Sequence, residues 1–92
     1  MRDEKHLAAV RARPCCLCGC PGPSDPHHFG AHGTGIKSDD LFTVPLCRAC
    51  HDEWHATARS RGRSRAQVMA EFWREAALLL AEYVHRLQRK DT

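Results

Sequence analysis

The clearest periodic signal lies in the second half of the chain. Val68, Phe72, Ala76, Leu79, Leu80, Tyr83 and Leu87 recur at helical spacing, which predicts a long helix with one apolar stripe. Ser64 and Gln67 stand ahead of the stripe in the pattern of a capping box, so the helix is expected over 64–90. At the other end, Leu7 and Val10 share one side of a short helix over 3–12, with Asp3 as its cap and Pro14 as its end. Between them, residues 14–55 hold nearly all the Cys, His, Gly and Pro, which predicts a loop-rich metal module. No internal repeat and no low-complexity tail interrupts this plan.

A chain of 92 residues is one small domain with a modest core, and such domains often need a staple. Six cysteines and seven histidines make metal the natural one. The N-terminus MRDEKHLAAV lacks an apolar signal core, and AALLLA at 76–81 is far too short to span a bilayer. The expectation is therefore a cytoplasmic protein with no membrane partner. There thiols stay reduced, and Cys-x-x-Cys pairs bind metal rather than bridge. The net charge of +3 is mild, but residues 56–65, ATARSRGRSR, carry four arginines and no acid.

Cys15 and Cys18 form one Cys-x-x-Cys followed by Gly19, and Cys47 and Cys50 form a second. Two such pairs make the tetrahedral thiolate set that zinc prefers in structural roles. Cys16 and Cys20 are spare by this count, with a shifted register as the alternative. A helix beginning near Arg48 would put His51 and His55 on one face. Cys50 and His51 would then point roughly 100° apart at ~3.6 residues per turn, so cysteines and histidines belong to different sites. His51 and His55 need a third ligand, and His27-His28 is the obvious source. Neighbours in an extended segment face opposite ways, so one histidine can bind metal while the other is free to accept a proton.

Three familiar patterns fail. HDEWH has Asp52 where a zincin needs Glu directly after its first His. GAHGTGIKS, residues 30–38, has Ile36 between its second glycine and the lysine of a phosphate-binding loop. The Cys/His spacing is also wrong for a two-histidine zinc finger.

The order Cys-x2-Cys, His-His, glycine-rich loop and LCRACHDEWH resembles the HNH endonucleases, whose core is a ββα-metal (His-Me finger) unit. The stretch PHHFGAHGTGIKSDDLFTVPLCRACHDEWH is most similar to small prophage-type members, including relatives of the recombination enhancement function nuclease. The resemblance covers about residues 14–56. It implies that His28 ends a first strand as general base, with His27, His51 and His55 holding a catalytic divalent ion. The chain has no asparagine, so Asp40, ahead of the second strand, is the expected stand-in for the family's middle residue, with Asp39 the alternative. An aspartate there could hold the ring N–H of His28 and fix its tautomer. The resemblance implies a divalent ion without choosing among Mg2+, Mn2+, Zn2+ and Ni2+; three imidazoles favour a transition metal or zinc.

Plainer readings stand beside these. His27, His51 and His55 could be structural or surface histidines, and His6, His32 and His85 carry no signal of their own. Gly30, Gly33 and Gly35 allow a tight loop, and Lys37 either faces water or touches a nucleic-acid backbone. Arg59, Arg61, Arg63 and Arg65 are either a solvated connector over 57–65 or a grip on DNA phosphates. Phe72, Trp73, Leu79, Leu80, Tyr83 and Val84 are expected to form core, and the width of the stripe also suits a homodimer contact. The expected whole is a single α+β domain over 1–92, with a ββα-metal core stapled by a four-cysteine structural zinc site and flanked by the short and long helices. Its expected activity is metal-dependent DNA hydrolysis. The alternative is a non-catalytic zinc module binding nucleic acid or a protein, which would not need the four histidines.

Overall fold

Helix α1 spans Glu4–Arg11 in the computed structural model, which describes residues 4–29 and 42–90. It buries His6, Leu7 and Val10 on one side; Asp3 lies outside the described residues. Its end is held from a distance. Ser24 N donates to the Arg11 carbonyl and Ser24 Oγ to the Arg13 carbonyl, both at 2.8 Å, so carbonyls left over by the helix find partners.

Strand β1 (Asp25–His28) and strand β2 (Thr43–Leu46) pair antiparallel, with His27 opposite Val44 and His28 opposite Thr43. Pro26 faces Pro45, which a two-stranded sheet tolerates because each strand has a free edge. All four residues of β2 are buried, which makes this strand the centre of the domain. Helix α2 (Arg48–Thr57) follows after Cys47 alone, so the order from residue 25 to residue 57 is strand, strand, helix.

Helix α3 covers Arg65–Lys90, about 39 Å at ~1.5 Å per residue. The expected capping box forms: Ser64 N donates to Gln67 Oε1 at 2.8 Å and Gln67 N to Ser64 Oγ at 3.3 Å. Val68, Phe72, Ala76 and Leu79 are buried, the first three against a cluster that includes Leu17, Phe29, Val44 and Leu46. Trp73 and Val84, expected in the core, are each 49% exposed, and Leu87 is 45% exposed. The helix is longer than the sheet-and-loop body it packs on. Arg13 adds a polar tie, its Nε 2.6 Å from Glu75 Oε2 and its Nη1 2.9 Å from Glu82 Oε1. The fold is therefore a small α+β domain of three helices and one two-stranded sheet among the described residues. No described helix is long and apolar enough to cross a membrane.

Candidate metal centres

The four sulfur atoms of Cys15, Cys18, Cys47 and Cys50 lie within 4.8 Å of one another. Cys18 and Cys47 Sγ are 3.6 Å apart, close to the ~3.8 Å that a tetrahedral ion with ~2.3 Å bonds imposes. The donor set fits zinc, and it selects Cys15 and Cys18 from the crowded first run. Cys16 is turned toward α3, where burial and then the Glu75 charge push its thiol pKa up, and Cys20 is exposed.

Local backbone geometry makes each half of this site. In the first, Gly19 adopts φ +78°, and its N–H donates to the Cys15 carbonyl at 2.9 Å. Cys16 N donates to the Pro45 carbonyl at 3.0 Å, fastening the turn to β2. In the second, Cys47 caps α2, its sulfur accepting from Cys50 N at 3.5 Å. Burial raises the Cys15 pKa, but N–H groups of Cys47, Cys18 and Leu17 directed at its sulfur outweigh that and bring it down to about 7. Burial and the neighbouring sulfurs instead push the Cys50 thiol up. An incoming ion must therefore displace protons here, so binding weakens in acid.

The second cluster is nitrogenous. One ring nitrogen from each of His27, His51 and His55 comes within 4.8 Å of the others, with ring centroids 4.6 to 5.4 Å apart. Strand alternation supplies the first donor: His27 is 8% exposed while His28 beside it faces solvent. The His27 ring packs against Phe72 at 5.4 Å and Trp54 at 6.4 Å. That burial, and then the charges of His51, His55 and His28, lower its pKa from 6.5 to about 4. His27 is thus neutral near pH 7 and its lone pair is available to a metal. His51 and His55, one helical turn apart on α2, grade from half-buried to exposed, so the cluster opens to solvent on the His55 side.

Asp25 is a site residue that the sequence did not reveal. It lies two residues before His27, and its Oδ2 is 3.3 Å from His51 Nδ1 and 3.1 Å from Arg48 Nη2. A carboxylate only accepts, so this contact keeps the proton on Nδ1 and leaves Nε2 of His51 as the free donor atom. The period-two step from 25 to 27 was a usable signal. What the sequence lacked was the docking of α2 on β1.

The arginine run is not a plain connector. Ser60 and Arg63 bridge, with Arg63 N donating to the Ser60 carbonyl at 2.8 Å, and Arg61 and Gly62 have φ of +51° and +80°. Two positive φ angles are the mark of a type I′ turn. Arg59, Arg61 and Arg65 are exposed and Arg63 is half-buried. Lys37, Asp40 and its alternative Asp39 lie outside the described residues, as do His32, Gly30, Gly33 and Gly35.

The chain is similar to an uncharacterized protein, YdfU, of Escherichia coli (strain K12), at 47% identity over 55 residues. That match covers 56% of this chain and 16% of the relative, so the chain spans about a sixth of the longer protein. No solved structure matches it. A family model described as a protein of unknown function (DUF968) matches residues 1–75, which take in both donor clusters and the start of α3. The chain belongs to the DUF968 family.

Proposed function

We propose that the protein is a metal-dependent nuclease of the HNH type, hydrolysing phosphodiester bonds of DNA. The observation that carries this reading is the second donor cluster. A small domain stapled by four cysteines gains nothing structural from three further convergent imidazoles with one open side. Structural zinc sites are closed, whereas catalytic sites keep three protein ligands and an open position. The strand, strand, helix order is the order a ββα-metal core requires, with the histidines on its first strand and its helix.

In this reading His27, His51 and His55 hold the divalent ion, and Asp25 orients His51. A bound ion would supply positive charge to a non-bridging phosphate oxygen and to the leaving oxygen. Because the three ligands are imidazoles, none offsets that charge when neutral. His28 ends β1 beside the buried ligand and faces solvent, which suits a general base that takes a proton from attacking water. Asp40 keeps the orienting role that the resemblance implies for it.

A plasmid-nicking assay across Mg2+, Mn2+, Zn2+ and Ni2+, with and without chelator, tests the proposal. Cleavage should depend on an added ion, stop with chelator, and fall at least ~100-fold in His28→Ala. Absence of cleavage with every ion would leave the zinc module that binds nucleic acid or protein as the better account.

A further inference from the structure

A cleft of about 370 Å³ lies between the end of α2 and the start of α3, bordered by Glu53, Thr57, Arg59, Gly62, Arg63 and Gln67. Its frame is built from side chains of α2 that hold the backbone of the arginine run. Thr57 Oγ1 accepts from Arg59 N at 3.1 Å and donates to the Glu53 carbonyl at 2.8 Å. Glu53 Oε1 accepts from Arg61 N at 3.2 Å, and the turn closes through Ser60 and Arg63. Arg59 and Arg63 thus line the cleft from a fixed backbone.

Within that frame Arg63 Nη1 is buried and has no hydrogen-bond partner. A guanidinium N–H cut off from water and left unpaired is costly, more so than a neutral donor. Arg63 lines the cleft beside Arg59. Glu53 does not pair with Arg63 Nη1: its Oε1 accepts the Arg61 N–H, and its carboxylate makes no hydrogen bond to that nitrogen. Nor does the helix end account for the site, because Gln67 N is already capped by Ser64. Two guanidinium groups around one cavity match the several oxygens of a phosphate.

We propose that this cleft seats a phosphate of a nucleic-acid backbone, an inference that rests on the nucleic-acid reading above. The phosphate held there is not the one that is cut. Glu53 and Thr57 stand about 200° around α2 from His51 and His55 at ~100° per residue, so the cleft and the histidines lie on opposite sides of that helix. A strand that reaches both must pass around α2. Arg59 and Arg63 therefore contribute to binding and register, and leave the chemical step alone.

The test uses zinc-loaded protein with no other divalent ion added. Inorganic phosphate is titrated first, followed by amide and arginine side-chain resonances of residues 59–64, and then a short duplex DNA is bound at a series of salt concentrations. Phosphate should shift the Arg63 resonances in the wild type, and weaken about ten-fold in Arg63→Met and in Arg59→Gln. Each variant should bind the duplex about ten-fold more weakly and lower its salt slope by about 0.9. Arg63→Met should melt no lower than the wild type, because it removes a buried unpaired donor. Arg59→Gln alters an exposed side chain and keeps the test open if Arg63→Met folds poorly. Equal phosphate shifts in wild type and both variants would overturn the site. Phosphate binding that is lost in the variants while the DNA salt slope stays the same would overturn the nucleic-acid occupant. Both readouts are independent of cleavage, so a protein that binds DNA this way and never cuts it would sink the nuclease reading and leave the cleft standing.

Discussion

The two donor clusters share the same short helix, and they are built on opposite plans. The cysteine cluster draws its ligands from two turns, caps α2 with one of them, and directs backbone N–H groups at its sulfur. Its four donors leave no place for a further ligand. The histidine cluster takes one ligand from a strand and two from successive turns of a helix, grading from buried to exposed. Three donors would leave room for a fourth. What the contrast teaches is that adjacency in sequence says little about shared chemistry. Cys50 and His51 are neighbours, yet the helix sends one to the four-cysteine cluster and the other to the three-histidine cluster.

The contrast breaks most visibly at the staple. Cys50→Ser should give insoluble or unfolded protein, because structural zinc contributes on the order of 10 kcal/mol to folding in domains of this kind. His55→Ala should remain folded and keep about one zinc per chain, since its cluster is separate. Elemental analysis and circular dichroism of the two variants make the comparison. A folded, zinc-free Cys50→Ser protein would remove the staple from the account.

A pH effect of intermediate size separates the clusters further. The folded pKa of His27, about 4, lies below its ordinary 6.5. The folded state therefore favours the neutral ring, and its contribution is fully present above pH 6.5 and lost as pH falls to 4. The difference corresponds to about 3 kcal/mol. Denaturant titrations should show the wild type losing stability relative to His27→Gln across that window. Parallel pH profiles for the two proteins would show that His27 is not buried in a neutral state.

Much of this arrangement was legible in the chain. The capping box at Ser64 and Gln67 and the first turns of the α3 stripe are local patterns, and local physics governs them. The cysteine pairs and the i, i+4 histidines were legible for the same reason, since their spacing alone brings the side chains together. The missed features depend on how elements dock. Trp73 and Val84 are each about half exposed: Trp73 lies beside the buried stripe and packs one edge on Phe29 and Phe42, while Val84 lies further along α3 than the core cluster reaches. His6 carries no pattern of its own but is fully buried, its ring meeting Tyr83 of α3 edge-on at 5.5 Å. Asp25 shares the period-two face of His27 but reaches His51 only when α2 settles against β1.

Asp25 gives the smallest of the expected effects and the sharpest view of the open cluster. Asp25→Leu should weaken divalent-ion binding at the histidines about 10- to 100-fold, as loss of an orienting carboxylate does. Asp25→Asn should fall between it and the wild type, because the amide oxygen still accepts from His51 Nδ1 without the negative charge. Calorimetric titration with Zn2+ or Ni2+ reads this directly, and the cysteine-bound zinc should be untouched. Equal affinities in all three proteins would mean that Asp25 pairs with Arg48 and does nothing for the metal.

The central claim is that one cluster staples the fold while the other, with His28 beside it, carries out hydrolysis. Metal titration and plasmid cleavage of His28→Ala, read beside His27→Ala and His55→Ala, test it most directly. All three should stay folded with the cysteine-bound zinc in place, and none should cut DNA. Only His28→Ala should still bind the second ion as tightly as the wild type. Normal cleavage by His28→Ala, or loss of the ion from His28→Ala while His27→Ala retains it, would contradict the assignment of base and ligand.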